Sequence, residues 1–334
     1  MQNYILGIES SCDETSASIC SNGKVVNNIV AAQDIHMEYG GVVPELASRE
    51  HQKNIIPVVA KALKDAGLKK EDLSAVAATQ GPGLLGALLV GYTFAKSMAF
   101  ALEIPLLNIH HMKAHIAAHY IDNPKPSFPF LCLTVSGGHT QIVKVLGHTS
   151  MQVVGQTIDD AVGEAFDKGA KLMGLPYPGG PMIDKLARDG DPLAFKFSKS
   201  NLADFDFSYS GVKTSLLYFL QKEIKRDPNF VEANKHDLAA SYQKTLIDML
   251  MKKLIDAAMY FKIDQIAIAG GVAANSQLRK EVKGLQSRFG WKTYIPKFEY
   301  CTDNAGMIAM EGYFQYQAGH FASMTEQPKP RMSF

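Results

Sequence analysis

The chain has 334 residues, of which 46% are hydrophobic, so one large domain or two ordinary domains with sizeable cores are expected. Its 34 basic and 33 acidic residues nearly cancel. This balance argues against a polybasic protein that wraps nucleic acid, although it leaves room for a local basic patch. The four cysteines form no C-x-x-C pair, which is typical of reduced thiols in a cytoplasmic protein.

Membrane and export signals are not expected. Met1 leads into a strand-like run without a basic region or cleavage site, so the pattern predicts no signal peptide. The longest uncharged stretch covers residues 73–95, and the sequence GPG at 81–83 divides it into two pieces. Each piece is too short to span a bilayer, so we expect no transmembrane segment.

The first part of the chain predicts an alternation of strands and helices. Strands are predicted over residues 4–9, 15–20 and 24–30, a helix over 50–66, a strand over 75–79, a helix over 84–102 and a buried strand over 104–109. A histidine-rich helical segment follows and ends near residue 123. Prolines at 124, 126 and 129 then mark a boundary.

The second part repeats the opening pattern. Strands over 130–135 and 140–145 flank a tight glycine turn, as the strands over 4–9 and 15–20 flank a polar turn. Helices are predicted over 159–173 and 237–261 and from residues 276 and 305, with a strand over 265–269 and a rigid proline-rich loop over 176–181. The mixture indicates an α/β protein built from two similar domains.

Two histidines provide the first candidate site. His111 and His115 are four residues apart, so in a helix both imidazoles can reach one metal ion. His110 and His119 lie beside them, and a plain histidine-rich helix side is the alternative that these residues alone favour. A zinc peptidase of the H-E-x-x-H type is discounted, because Met112 stands in place of its general-base glutamate.

A carboxylate that could complete the site lies far along the chain. The sequence CTDN at residues 301–304 precedes the last predicted helix, which Thr302 or Asp303 can cap. In the alternative interpretation, Asp303 is a metal ligand. Two histidines and one carboxylate are a common ligand set that leaves positions open for a substrate.

Two glycine turns follow predicted strands, at residues 136–138 and 270–271. Glycine lets a backbone approach a phosphate closely, yet neither turn is a P-loop or a G-x-G-x-x-G motif. Each alone is typical of a plain turn, whereas together, as loops of different parts of the chain, they suit a nucleotide held in a cleft. Four acids fall on one predicted helix, mainly as a solvated face: Asp159, Asp160, Glu164 and Asp167. Asp167, or Asp184 further on, could accept from a ribose hydroxyl.

Several motifs, taken in order, resemble one family over nearly the whole chain. They are LGIESSCDET at 6–15, KS at 96–97 with Pro105 and HMKAHI at 111–116, VSGGHT at 135–140, AGGVAAN at 269–275 and CTDN at 301–304. The KS-to-HMKAHI signature was once called glycoprotease. The set resembles the TsaD-type tRNA N6-adenosine threonylcarbamoyltransferase family. Departures such as Ser10, where threonine is usual, remove none of the proposed ligands.

The resemblance implies a fold and a set of site residues. The implied fold is that of the actin, sugar-kinase and Hsp70 superfamily, with two related domains, residues 1–123 with 302–334 and residues 124–301, and a nucleotide cleft between them. The implied metal ligands are His111, His115 and Asp303, for Fe²⁺ or Zn²⁺. The implied substrate-binding residues are Thr134, Val135, Ser136, Gly137, Gly138, Asp167, Gly180, Asp184 and Asn275. No catalytic residue is assigned beyond the metal site.

The resemblance also implies an activity. The donor would be L-threonylcarbamoyl-adenylate and the acceptor the N6 amine of adenosine 37 in tRNAs that read codons beginning with adenosine, with AMP as leaving group. Implied partners are a related non-catalytic subunit and a small ATPase, of the TsaB and TsaE types in bacteria. A candidate basic stretch for tRNA comprises Arg279, Lys280, Lys283, Arg288, Lys292 and Lys297, and a solvated helix face is its alternative.

Three other classes share features of this pattern. A sugar- or acetate-kinase-like phosphotransferase would share the fold and the glycine turns but would not need the two histidines with a distant aspartate. An Hsp70-like ATPase would need a peptide-binding domain, for which the chain leaves no length. A non-catalytic member of the superfamily would be expected to lack the metal residues.

Overall fold

The computed structural model describes residues 2–200 and 202–334. The chain forms two compact units. The first comprises the residues up to Pro126 with Gly147–Ser150 and Pro296–Phe334, and the second comprises Ser127–Leu146 and Met151–Ile295. The division at residues 123 and 302 expected from the sequence stays a prediction. None of the described helices has the length and apolar character to cross a membrane.

The first unit contains a mixed sheet. Its strands are β1 Tyr4–Glu9, β2 Thr15–Ser21, β3 Lys24–Val25, β4 Ile29–Ala31, β5 Ala75–Gly81 and β6 Leu106–His110. The order is β3-β2-β1-β5-β6, with β4 also paired to β2. Strand β1 runs antiparallel to β2 and parallel to β5, which in turn is parallel to β6. Strands β1, β5 and β6 therefore end at the same edge of the sheet.

Helices cover both faces of this sheet. They are α1 His36–Tyr39, α2 Pro44–Asp65, α3 Leu85–Ala101, α4 His111–Ala117 and the last helix, α11 Ala305–Gln317. Alternate β1 residues point to opposite faces. Leu6 packs with α2 and α3, whereas Ile5 packs with α4 and α11. Gly7 also faces α11, where an added Cβ would lie 2.5 Å from the backbone nitrogen of Ala309, so this helix can approach β1 closely.

The second unit repeats the sheet pattern of the first. Its strands are β7 Phe130–Val135, β8 Thr140–Val145, β9 Met151–Gln156, β10 Gln265–Ala269 and β11 Lys292–Tyr294. The order is β11-β10-β7-β8-β9, in which β7 is antiparallel to β8 and parallel to β10. A central strand thus has an antiparallel hairpin on one side and parallel strands on the other, as in the first unit. The predicted internal repeat is confirmed.

Six helices belong to the second unit. They are α5 Val162–Leu172, α6 Gly179–Leu186, α7 Ser210–Ile224, α8 Phe230–Ala233, α9 Lys235–Phe261 and α10 Ser276–Phe289. The fully buried Tyr242 of α9 donates from its hydroxyl to the carbonyl of Ala165 in α5 at 2.8 Å. An added Cβ on Gly169 would lie 2.3 Å from the Tyr242 ring, so glycine there lets α5 and α9 pack closely.

Several element predictions need correction. Residues 24–30 form two short strands instead of one, because the side chain of Asn27 accepts from the Ile19 N–H at 3.0 Å and replaces a ladder bond. Helix α2 begins at Pro44 rather than residue 50, since proline suits the first turn of a helix. For the same reason the predicted loop over 176–181 ends early, at the start of α6. Strand β9 and helix α7 were not predicted.

A buried acid on α11 predicts an unusual pH dependence. Glu311 is 1% exposed, and among the described residues its Oε2 has no hydrogen-bond partner, while Oε1 accepts from the Gln315 side chain at 2.7 Å. Burial raises the pKa of Glu311 from 4.5 to about 7, although Lys113 opposes the shift. The folded state therefore holds more protons than the unfolded state between these values, and its free energy of unfolding falls as the pH rises through them.

Glu311→Gln removes this ionisation and keeps an amide oxygen for Gln315. We expect the variant to be more stable than the wild type by about 1–3 kcal/mol at pH 8 and about equal at pH 4. Urea unfolding of both proteins across this pH range measures the difference, in which other titrating groups cancel. Stability curves that stay parallel from pH 4 to pH 8 would show that Glu311 does not titrate in this way.

Candidate metal centre and glycine-turn site

The two predicted histidine ligands lie where the first sheet ends. Strand β6 ends at His110, and His111 is the first residue of α4, so His111 and His115 occupy successive turns of one helix. Their ring centroids are 4.7 Å apart at an angle of 86°. The rings are 7% and 1% exposed, respectively. The sheet thus places both imidazoles in a buried position on one helix.

Asp303 meets both histidines. The Nε2 atoms of His111 and His115 each lie 3.3 Å from the same carboxylate oxygen, Oδ1 of Asp303. Asp303 does not cap α11, because the cap is Asn304, whose side-chain oxygen accepts from the Met307 N–H at 3.0 Å. The expectation of a Thr302 or Asp303 cap is therefore wrong, and the Asp303 carboxylate faces the histidines instead.

The donor set fits a metal ion. One ligand atom from each of His111, His115 and Asp303 can be chosen so that all three lie within 4.8 Å of one another. The buried Nε2 of His115 has no hydrogen-bond partner among the described residues, because its contact with Asp303 lacks hydrogen-bond geometry. A buried imidazole nitrogen without a partner is costly, and a cation bound between it and the carboxylate would satisfy it.

The electrostatics of the three residues are coupled. Burial lowers the pKa of His115. Burial opposes protonation of His111 too, but the carboxylates of Asp303 and Glu9 outweigh it and hold the pKa of His111 well above its ordinary value. Burial would raise the pKa of Asp303, yet the facing His111 brings it well below its usual range. A cation that binds here must displace the His111 proton, so its affinity should increase with pH.

Glu9 is a contact that the sequence analysis missed. It is the last residue of β1 and fully buried, and its Oε2 accepts from His111 Nδ1 at 2.9 Å and from the Thr79 hydroxyl at 2.8 Å. The available signal was a glutamate that ends an otherwise apolar strand. Buried acids rarely occur without partners, so the pattern indicated a partner without identifying it.

The predicted substrate turn follows β7 in the second unit. Thr134 and Val135 end the strand, and Ser136, Gly137 and Gly138 form the turn. The Ser136 N–H donates to the His139 carbonyl at 2.8 Å, and the His139 N–H donates to the Ser136 hydroxyl at 3.1 Å. An added Cβ on Gly137 or Gly138 would meet nothing within 4 Å. The fold itself therefore does not require glycine at either position.

The second glycine turn lies beside the first. Strands β7 and β10 are parallel neighbours, so the turns at 136–138 and 270–271 share one edge of the second sheet. Gly270 has a φ of +89°, and an added Cβ would lie 2.4 Å from the Val135 carbonyl oxygen. The view that the two turns come from different parts of the chain is corrected, since both belong to the second unit.

The remaining predicted nucleotide contacts form hydrogen bonds within the second unit. Asp167 accepts from the N–H groups of Gly179 and Gly180 at 2.8 and 3.2 Å. Asp184 accepts from the Ser276 hydroxyl at 2.8 Å. Asn275 caps α10 by accepting from the Leu278 N–H at 2.9 Å. These bonds fix the side chains, and their roles toward a nucleotide stay predictions.

The expected single acidic helix face is not present. Helix α5 begins at Val162, so Asp159 and Asp160 precede it. Asp160 and Glu164 both pair with Lys168, at 2.9 and 2.8 Å. Asp159 instead accepts from the Ser208 and Ser210 side chains at the start of α7. The helix prediction failed at this end because these aspartates bond to other segments.

The repeated sheet pattern defines the class of protein. Component A of (R)-2-hydroxyglutaryl-CoA dehydratase from Acidaminococcus fermentans matches with a TM-score of 0.54 at 17% identity, over 94% of this chain and 99% of that one. The ROK hexokinase from Thermus thermophilus matches with a TM-score of 0.50 at 14% identity, over 95% and 100%. The chain thus has the α/β fold of the actin, sugar-kinase and Hsp70 superfamily, as predicted.

Sequence comparisons define the family within this class. The model of the TsaD family, tRNA N6-adenosine threonylcarbamoyltransferase, matches residues 24–310. Proteins of that name from Cytophaga hutchinsonii and Christiangramia forsetii are 57% and 56% identical to this chain, over 99% of it and 97% and 98% of their own lengths. The chain belongs to the TsaD family of tRNA N6-adenosine threonylcarbamoyltransferases.

Proposed function

We propose that this chain transfers the threonylcarbamoyl group of L-threonylcarbamoyl-adenylate to N6 of adenosine 37 in tRNAs that read codons beginning with adenosine, forming t6A and releasing AMP. The observation that carries the proposal is the convergence of His111, His115 and Asp303 on one carboxylate oxygen, in a chain that matches its family over almost its full length. The kinase alternative gives no reason for that convergence.

The metal centre is part of the proposal. His111, His115 and Asp303 would hold one divalent ion, Fe²⁺ or Zn²⁺, because imidazole and carboxylate ligands suit both. When bound, such an ion supplies Lewis-acid polarisation of the donor oxygens. The helix α4 and the segment before α11 hold the three side chains, and their burial excludes water from the ligand atoms.

The remaining chemistry asks little of the protein. AMP is already a good leaving group, so the enzyme needs mainly to align the donor with the amine and to stabilise developing charge. The backbone of residues 136–138 would hold the phosphate, because glycine lets a ligand approach the N–H groups there. Burial raises the pKa of the thiols of Cys12 and Cys132, so neither is activated as a nucleophile.

The test supplies preformed threonylcarbamoyl-adenylate and tRNA to the chain, with any partner it needs and no ATP. We expect modified adenosine in the nucleoside digest and an equal amount of AMP. A phosphotransferase would instead move the γ-phosphate of ATP to a small acceptor. Modification that appears only when ATP is added to the preformed adenylate would contradict the proposal.

Partners and location complete the proposal. The chain would work with a related non-catalytic subunit and a small ATPase, of the TsaB and TsaE types, because the ATPase energy must enter at a step other than transfer from an activated donor. The tRNA substrate and the four free cysteines fit a cytoplasmic location.

The structure refines the candidate surface for tRNA. Arg279 donates to the Ala273 carbonyl at 3.1 Å, and Lys297 pairs with Asp122 in the first unit. The more exposed members of the basic stretch on α10 and β11 are Lys280, Lys283, Arg288 and Lys292. These four residues are the candidate contacts for tRNA phosphates.

We expect the double reversal Lys280→Glu and Lys283→Glu to weaken tRNA binding and to reduce its salt dependence by about two phosphate contacts. Adenylate binding should not change. The matched control is the same double reversal at Lys222 and Lys225, exposed at the end of α7. Filter binding at several salt concentrations measures the slope, and equal losses in both double variants would indicate a general charge effect instead of a local interface.

A further inference from the structure

A fully buried carboxylate lies behind the candidate metal ligands. Glu9 is 0% exposed, and three groups donate to it: the Thr79 hydroxyl, the His111 ring nitrogen Nδ1 and the backbone N–H of Ser11. The first two contact the same oxygen, Oε2, at 2.8 and 2.9 Å. Burying a carboxylate is costly unless it is well hydrogen-bonded, so this arrangement holds Glu9 firmly in place.

The fold explains why these groups meet. Glu9 ends β1, Thr79 lies near the end of β5, and His111 directly follows β6. These three strands are parallel neighbours, and their carboxyl ends share one edge of the sheet. Glu9 is therefore held by the rigid centre of the sheet, whereas His111 begins a short helix.

The contact leaves one ring nitrogen for a ligand. Nδ1 of His111 faces Glu9, and Nε2, on the opposite side of the ring, faces Asp303. The Ser11 hydroxyl lies 3.2 Å from the same Nδ1 and is the competing partner. Glu9 is closer and charged, and a charge-assisted hydrogen bond is roughly twice as strong as a neutral one. Glu9 is thus the better acceptor for the Nδ1 proton.

We propose that Glu9 is a positioning residue for the metal centre, which keeps the proton of His111 on Nδ1 and aims Nε2 at the ion. The inference rests on the proposed function, since it requires that His111 bind a metal. Carboxylates that hold the far nitrogen of a ligating histidine fix the orientation of its ring and increase its basicity, and their loss lowers metal affinity about 10- to 100-fold.

The test measures Zn²⁺ affinity by chelator competition in the full chain, together with the unfolding temperature of the metal-free protein. We expect Glu9→Gln to raise the Kd for Zn²⁺ about 10- to 100-fold. Ser11→Ala removes the competing hydroxyl and should keep the wild-type Kd. Thr79→Val removes another donor to the same oxygen, so it should lower the unfolding temperature and leave the Kd nearly unchanged.

The outcomes separate this inference from the proposed function. If the wild type binds Zn²⁺ and Glu9→Gln binds it equally well, the role of Glu9 is overturned and the metal centre stands. If the wild type binds no Zn²⁺, both are overturned. Should Glu9→Gln fail to fold, Glu9→Asp keeps the charge but draws the carboxylate back by one methylene. A wild-type Kd in that variant would also overturn the inference.

Discussion

Asp303→Ala is expected to empty the metal site and to reduce threonylcarbamoyl transfer by about 10²- to 10³-fold, because it removes the carboxylate on which both imidazoles converge. The protein should stay folded. Asp303 lies outside α11, whose cap is Asn304, and the two histidines can remain buried in their neutral forms. Metal content per chain and t6A yield with preformed adenylate measure the two effects.

A neighbouring residue provides the control for Asp303. Thr302 is exposed and adjacent, and the contact recorded for it, a bond from the Asn304 side chain, is to its backbone carbonyl. Thr302→Ala should therefore keep both metal and activity. His111→Ala should behave like Asp303→Ala. Full metal occupancy in both ligand variants would refute the assignment of these residues as ligands.

Gly137→Val should abolish transfer without unfolding the protein. An added Cβ at Gly137 would meet no atom of the chain within 4 Å, so the structure can accept a side chain there. A branched side chain would instead occupy the space in which a phosphate approaches the backbone of residues 136–138. We expect adenylate affinity to fall by at least about tenfold, since a good phosphate contact is worth more than about 1.4 kcal/mol.

The control for Gly137 is another glycine without close neighbours. Gly284 lies within α10, and an added Cβ there would also meet nothing within 4 Å. Gly284→Val should leave adenylate binding unchanged, and Gly137→Ala should give an intermediate loss. Isothermal titration with the adenylate, or with AMP, compares the three variants. Wild-type affinity in Gly137→Val would show that the turn does not hold the phosphate.

The parts of the fold with a strong local signal were predicted well. The strands over 4–9, 130–135, 140–145 and 265–269 match their observed bounds, because each is a short apolar run between clear turn residues. Helix α7 was missed, since its sequence lacks a strong apolar stripe and its start is held by Asp159 from another segment. Local patterns cannot show such distant caps.

The candidate metal centre was predictable only in part. The spacing of His111 and His115 indicates a shared helix face, but it cannot distinguish a ligand pair from a structural one. Only the fold brings Asp303 to them, from almost 190 residues away along the chain. Glu9 was missed for the same reason, because its partner His111 follows a different strand of the sheet.

The central claim is that His111, His115 and Asp303 hold an ion required for transfer from an already activated donor. The most direct measurement is single-turnover t6A formation from preformed threonylcarbamoyl-adenylate and tRNA, with the required partners and no ATP, before and after chelation of the metal. The account predicts that chelation stops the reaction and that one equivalent of Fe²⁺ or Zn²⁺ restores it. Undiminished t6A formation by the metal-free enzyme would contradict the account.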